Sequence, residues 1–171
     1  MNAILYLVTG APGAGKSLAL EHVLARNSPY LAFDIDWLAA PASQLARTDI
    51  MSTSTTWPAY NAVWLEFLHA IHKNHRRAIF FSPLDQRDLA LSGQPAWCER
   101  IEWLLLDCAD HTRRTRLRQR PGWTEAMIAE ALADAQVLRE QISAQIDTGS
   151  ATPDEVAAAI LDWVERLGVR D

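Results

Sequence analysis

The chain has 171 residues, 49% of them hydrophobic and 22% charged, and a formal net charge of −5 at neutral pH. That balance suits one globular domain over residues 1–171 with a sizeable core, and the acidic excess argues against general affinity for nucleic acid or an anionic membrane. No apolar run is long enough to span a bilayer, and the first residues already read as a strand rather than a leader, so a cytoplasmic location is expected.

Ile4-Leu5-Tyr6-Leu7-Val8 is a short apolar run suited to a buried parallel strand. Directly after it, Gly10-Ala11-Pro12-Gly13-Ala14-Gly15-Lys16-Ser17 reads G-x-x-x-x-G-K-S, and Leu18 to Arg26 follows with Leu20, Val23 and Leu24 at helical spacing. Strand, glycine loop and helix in that order predict a phosphate-binding loop. The glycines let the backbone close on an anion, with peptide N–H groups and the helix N-terminus pointing at it. Lys16 adds a charge for the β- and γ-phosphates of a nucleoside triphosphate, and the Ser17 hydroxyl is placed to hold a magnesium ion between them.

Tyr30 to Phe33 form a second strand that runs into Asp34-Ile35-Asp36. If the chain stays extended there, both carboxylates project to one side. One would order magnesium through water and the other accept a proton from an attacking hydroxyl; the alternative is an Asp cap on a helix beginning near Trp37. From Arg47 to Pro58 the chain is rich in hydroxyls. It reads equally as the acceptor-contacting part of a region spanning about 37–76 and as a polar surface loop with Thr56 capping the next helix. That helix, about Ala59 to Asn74, places Trp64, Phe67, Leu68 and Ile71 on one face. His69, His72 and His75 fan around its last turns, and with Lys73, Arg76 and Arg77 they complement the helix dipole rather than form a metal site.

Ala78 to Phe81 make a third strand, followed by Ser82-Pro83-Leu84-Asp85, and Ile101 to Cys108 make a fourth. Cys98 and Cys108 lack metal-ligand spacing and read as reduced thiols. In the arginine-rich helix that follows, Arg113, Arg114 and Arg118 are expected on a solvated face. Arg116 and Arg120 lie one turn apart on a common face, and Pro121-Gly122 starts a turn suited to a lid over about 118–125. A long helix from Thr124 turns Ile128, Ala131, Leu132, Ala135, Leu138 and Ile142 inward. Gln145 to Asp147 make a fifth strand, and Thr152-Pro153-Asp154-Glu155 is a capping box that opens a last helix burying Val156, Ile160, Val164 and Leu167. Of seven tryptophans, Trp64 and Trp103 read as core, whereas Trp57, Trp97 and Trp123 fall in segments flanking the expected cleft.

Five short strands joined by helices predict a three-layer α/β fold, a five-stranded parallel sheet with helices on both faces and its ligands beyond the carboxyl ends of the strands. The chain resembles the small P-loop kinases: the shikimate and gluconate kinases, chloramphenicol phosphotransferases, and nucleoside and nucleoside-monophosphate kinases. The phosphate loop matches residue by residue. Asp34-Ile35-Asp36 is similar to the D-x-D of shikimate kinases, which implies Asp34 in the magnesium shell and Asp36 as base. The passage from Leu106-Asp107 to Arg116 and Arg120 is similar to the family's strand, helix and lid with R-x-x-x-R, implying that Arg116 packs on adenine and Arg120 reaches the transferring phosphate. Asp147-Thr148-Gly149-Ser150 resembles the loop that holds adenine by its backbone.

Departures from that pattern are specific. Where many relatives end the third strand with an Asp or a glycine run, this chain has Phe81-Ser82-Pro83-Leu84-Asp85, so Asp34 or Asp85 must support the metal. The D-G-x-P-R segment of adenylate kinases is absent, although Arg87 falls nearby, and Leu18 stands where many nucleotide kinases have threonine. The resemblance implies transfer of the γ-phosphoryl of Mg-ATP to a hydroxyl of a small molecule, by a monomer or homodimer, with Lys16, Arg116 and Arg120 stabilising charge. The nucleoside-monophosphate kinase and the nucleotide-dependent switch without an acceptor stay open as alternatives.

Overall fold

The computed structural model describes residues 3–51, 55–92 and 95–168. Strands β1 (Ile4–Thr9), β2 (Leu31–Asp34), β3 (Ala78–Phe81), β4 (Arg100–Asp107) and β5 (Gln145–Asp147) form one parallel sheet in the order β2-β3-β1-β4-β5. The helices are α1 (Lys16–Leu24), α2 (Ala39–Ala46), α3 (Trp57–Lys73), α4 (Gln86–Ser92), α5 (Asp110–Arg118), α6 (Glu125–Gln141) and α7 (Pro153–Gly168). None of the described helices is long and apolar enough to cross a membrane.

The layers follow from strand alternation, because successive side chains leave the sheet on opposite faces. Tyr6 and Val8 of β1 join Ile79 and Phe81 of β3 in a core with Leu20 and Val23 of α1 and Val156, Ile160 and Val164 of α7. Leu5 and Leu7 face the other way and pack with Phe80 against Tyr60, Trp64, Leu65 and Leu68 of α3. A strand buried on both faces needs an unbroken apolar run, and β1 has one. The sheet order reverses direction at β1, which is flanked by β3 and β4, so the crevice for ligand opens beyond the carboxyl end of β1.

All five strands and five of the helices fall where the sequence predicts them, with ends shifted by a residue or two. Helix α4 was not foreseen, and α2 follows the Asp-capped turn that the sequence offered only as the alternative, a helix beginning near Trp37. No residue of α2 is buried, so it lacks the apolar stripe that makes a helix readable. Helix α4 is a short segment set by its cap: Asp85 Oδ1 accepts from the N–H groups of Arg87 and Asp88 at 2.7 and 2.9 Å, and Asp88 Oδ2 accepts from the N–H of Asp85 at 3.0 Å. Thr56 precedes α3 but does not cap it, since its hydroxyl donates to the carbonyl of Ile50 at 3.1 Å. Trp64 is core as expected, at 1% exposure, but Trp103 is only partly buried.

The capping box at α7 forms as read: Thr152 Oγ1 accepts from the N–H of Glu155 at 3.3 Å, and Glu155 Oε2 accepts from the N–H of Thr152 at 2.8 Å. Because α7 covers one face of the sheet, loss of its cap weakens the whole domain. Thr152→Ala is expected to cost about 1 kcal/mol, a fall in Tm of roughly 2–4 °C, and thermal unfolding followed by circular dichroism checks this.

Candidate active site

The loop between β1 and α1 is held in a shape that only its own residues permit. At Gly10 a Cβ would lie 2.5 Å from the backbone oxygen of Leu106, so any side chain there would push β1 and β4 apart. Gly15 stands immediately before α1 at φ 90°, in the left-handed region that side chains disfavour. The first hydrogen bond of α1 runs from the N–H of Ala19 to the carbonyl of Gly15 at 3.0 Å, which leaves the N–H groups of Lys16, Ser17 and Leu18 without a carbonyl one turn back. These donors and the positive helix end make an anion site.

Lys16 is partly buried and its ammonium donates to the carbonyl of Gly10. Burial is the largest influence on it and lowers its pKa to about 8, against the opposing pull of Asp34 and Asp36. Arg113 and Arg120 push it further in the direction of burial. The two carboxylates are therefore electrostatic neighbours of the loop lysine, but not by the extended route the sequence implied. The strand ends at Asp34, and Ile35–Leu38 form one turn of 3-10 helix. Asp34 Oδ1 caps that turn by accepting from the N–H of Asp36 at 3.0 Å. Capping and proximity to Lys16 thus coexist in Asp34, whose carboxyl is pushed up chiefly by desolvation and also by the charge of Asp36. The Asp36 side chain is exposed and accepts no hydrogen bond among the described residues.

The turn is itself anchored from below. Ile35 is 1% exposed, and its carbonyl accepts from the Tyr60 hydroxyl and, at 3.1 Å, from Trp64 Nε1. Two side chains of α3 thereby fix the backbone between the carboxylates.

The sequence reading errs at Arg113, which is fully buried rather than solvated. Its guanidinium donates to the carbonyls of Ala11 and Pro12 at 3.1 and 2.6 Å and to Asp107 Oδ1. Asp107 also accepts from Arg139 of α6, with Nε at 2.6 Å from Oδ2, and this pair raises the Arg139 pKa. A charged pair behind the loop thus pulls two of its carbonyls inward. Arg114 and Arg118 do lie on the surface, near Glu125: Arg118 makes two bonds to that carboxylate at 2.8 and 3.1 Å, which lowers the Glu125 pKa, and Arg114 stands 3.9 Å away. The signal that could have found Arg113 is Asp107, a carboxylate at the end of a central strand that needs a cation.

Beside the loop opens a cleft of about 640 Å³ lined by Gly13, Gly15, Ser17, Leu18, Arg116 and Arg120, with Thr148 and Gly149 opposite. Arg116 is pinned there: Nη1 donates to the Gly13 carbonyl at 3.1 Å and to Thr148 Oγ1 at 3.0 Å, and Nη2 donates to the Thr148 carbonyl at 2.7 Å. The Arg120 side chain is exposed and makes no hydrogen bond or ion pair among the described residues. Gly10, Ala11, Pro12 and Ala14 do not line the cleft; Ala11 and Ala14 are buried behind it.

Other expected residues lie elsewhere. Asp85 is occupied in capping α4, and buried Ser82 stands directly after β3. Trp57 Nε1 donates to Asp88 Oδ1 at 3.3 Å, and Trp123 packs on Leu117 and Ile128 near the turn after α5. Trp97 does not flank this cleft, since it stands at the opposite end of the sheet, stacked on His69 and His72 at ring separations of 5.2 and 5.9 Å. Residues 52–54 of the hydroxyl-rich stretch lie outside the described residues.

Two consequences are measurable. Because the folded pKa of Lys16 is about 8 against an ordinary 10.5, the unfolded chain holds that proton more tightly, and stability of the unliganded fold rises with pH between those values. Lys16→Met is expected to raise the unfolding free energy near pH 7 by about 1–3 kcal/mol and to flatten the rise, as read by denaturant titrations at pH 7 and 10. Arg113→Met, which strands Asp107 and two carbonyls, is expected to cost about 3–5 kcal/mol in the same titrations.

No protein-family model matches the sequence, and no curated protein matches it. Solved structures do match in shape. A tunicamycin resistance protein from Deinococcus radiodurans superimposes with a TM-score of 0.70 at 17% identity, covering 96% of each chain. An unliganded sugar kinase from Janibacter sp. HTCC2649 gives 0.67 at 16% identity over 96% of this chain and 95% of that one. A shikimate kinase from Acinetobacter baumannii gives 0.61 at 16% identity over 97% and 94%. Sheet order, loop and these superpositions agree that the chain has the three-layer α/β fold of the small P-loop kinases.

Proposed function

We propose that the protein is an ATP-dependent kinase that moves the γ-phosphoryl of Mg-ATP to a hydroxyl of a small molecule. The observation that carries this reading is the electrostatic neighbourhood of Lys16, Asp34 and Asp36, which sets a proton acceptor beside a phosphate loop. The sugar and shikimate kinases of the same fold support it.

In this reading the nucleoside lies in the cleft between α5 and the segment 147–151, with Arg116 and Thr148 along its wall. The triphosphate runs along residues 10–18, facing the N–H groups of Lys16, Ser17 and Leu18 and the Lys16 ammonium. Phosphate oxygens replace the Gly10 carbonyl as the partner of Lys16 and favour its charged form. An acceptor hydroxyl between the loop and the region 37–76 gives its proton to Asp36 as its oxygen bonds to the γ-phosphorus. The bond from that phosphorus to the bridging oxygen breaks, and its electron pair leaves with ADP. Lys16 and Arg120 stabilise the charge that spreads over the transferring group.

Magnesium fits the oxygens available. The Ser17 hydroxyl is exposed, and Asp34 has one carboxylate oxygen outside its cap, whereas no group of three or more His, Cys, Asp or Glu among the described residues could hold a metal unaided. A cation that arrives on a triphosphate needs only one or two protein ligands. When bound, it neutralises charge on the β- and γ-oxygens.

Asp36→Asn keeps size and hydrogen bonding but removes the proton acceptor, so kcat is expected to fall by roughly two to four orders of magnitude with ATP affinity nearly unchanged. Asp34→Asn is expected to raise the magnesium requirement instead. ADP release, measured across a panel of polyols, sugar acids, nucleosides and antibiotics, tests both. Acceptor-independent hydrolysis that is indifferent to Asp36→Asn would mark a nucleotide-dependent switch in place of a kinase.

A further inference from the structure

The end of the sheet farthest from the phosphate loop holds a partly open cavity of about 320 Å³ between the C-terminus of α3 and the amino ends of β1 and β3. Its rim is basic: His72, Lys73, His75, Arg76 and Arg77 line it, and none of them forms an ion pair with a described residue. Of the carboxylates nearby in sequence, Glu66 stands 3.8 Å from His69 and Glu102 2.7 Å from Arg100, while Glu99, two residues from Trp97, is exposed and does not line the cavity. Complementing the helix dipole accounts for only part of this charge. A helix C-terminus presents about half a negative charge, against the full charges of Lys73, Arg76 and Arg77. The excess gathers in a chain whose net charge is −5.

The cavity floor is different in kind. Leu5, Leu68 and Ala78 are apolar and buried, and Trp97 closes one side with its ring stacked on His72. The indole Nε1–H of Trp97 is buried and has no hydrogen-bond partner among the described residues. An apolar floor, an aromatic wall and a cationic rim together fit a ligand that is flat, apolar over its body and negatively charged at one end.

We infer that this cavity is a second ligand site, separate from the phosphate loop, and that it binds a small planar anion: an aromatic ring carrying a phosphate or carboxylate. The ring lies on the Trp97 side, over Leu68, and the anionic group meets Lys73, Arg76 and Arg77. The inference does not depend on the kinase reading, because no residue of the loop or the carboxylate pair takes part.

Phenyl phosphate is the probe, and the readout is the Trp97 indole N–H resonance in a nitrogen-15 correlation spectrum, identified by its loss in Trp97→Phe. A saturable shift with half-saturation below about 1 mM is expected, equal in Lys16→Met, which removes the charge of the phosphate loop. Inorganic phosphate, which lacks the ring, and benzyl alcohol, which lacks the charge, should each bind at least about tenfold more weakly. The double variant Lys73→Ala with Arg76→Ala removes two exposed charges without touching the core, and should weaken phenyl phosphate at least about tenfold. The pair Lys73→Arg with Arg76→Lys should restore binding. An indole resonance that does not move at about 10 mM probe, or a shift lost in Lys16→Met, would overturn the inference. Equal binding of inorganic phosphate would overturn the ligand class.

Discussion

One buried guanidinium sets the shape on which the rest of the site depends. A phosphate loop must point its N–H groups outward at an anion, which forces its carbonyls inward, where each needs a donor. Arg113 supplies that donor to Ala11 and Pro12, and its own charge is matched by Asp107 at the end of β4. Asp107 is shared in turn with Arg139 of α6. The loop, the central sheet and two helices are thereby joined through charged groups withdrawn from water, where interactions are strong and loss of a partner is costly. Such an arrangement holds geometry more than it adds stability, and geometry is what a preorganised anion site requires.

The opposing tendency appears at Lys16. Its ammonium is held where burial disfavours its charge, and the two nearby carboxylates offset only part of that penalty. The unliganded fold therefore contains an unfavourable charge that an anionic ligand would relieve. Asp34 shows the same tension with the opposite sign, its carboxyl pushed up by desolvation while it caps the turn that follows β2. Groups poised against their surroundings in this way are concentrated where ligands bind.

Much of this was legible in the sequence, for reasons that differ by element. The strands are short apolar runs, helices α1, α3, α6 and α7 bury recurrent apolar residues, and the loop's pattern is local, so none of them needed tertiary knowledge. What was missed is what only assembly reveals. Arg113 sits in a run of arginines that reads as a wet surface, and its burial depends on Asp107, six residues earlier, and on carbonyls about a hundred positions away. Trp97 lies in a connecting segment whose direction the sequence does not fix, and it turned out to close the far end of the sheet. Asp34 and Asp36 were found as a pair, but their route to Lys16 passes through a turn held by Tyr60 and Trp64, which no periodicity announces.

Helix α2, in which no residue is buried, has a further meaning. It adjoins the turn that carries both carboxylates, and its stake in the core is small: Ala39 and Ala42 pack against it, partly buried. Substitutions at its exposed positions, such as Gln44 and Leu45, have little consequence for folding. Side chains there can change while the loop and its buried arginine keep their geometry. Divergence in what is recognised need not pass through unstable intermediates, a freedom well suited to a scaffold with neighbours of only 16–17% identity as differently named as a sugar kinase and a tunicamycin resistance protein.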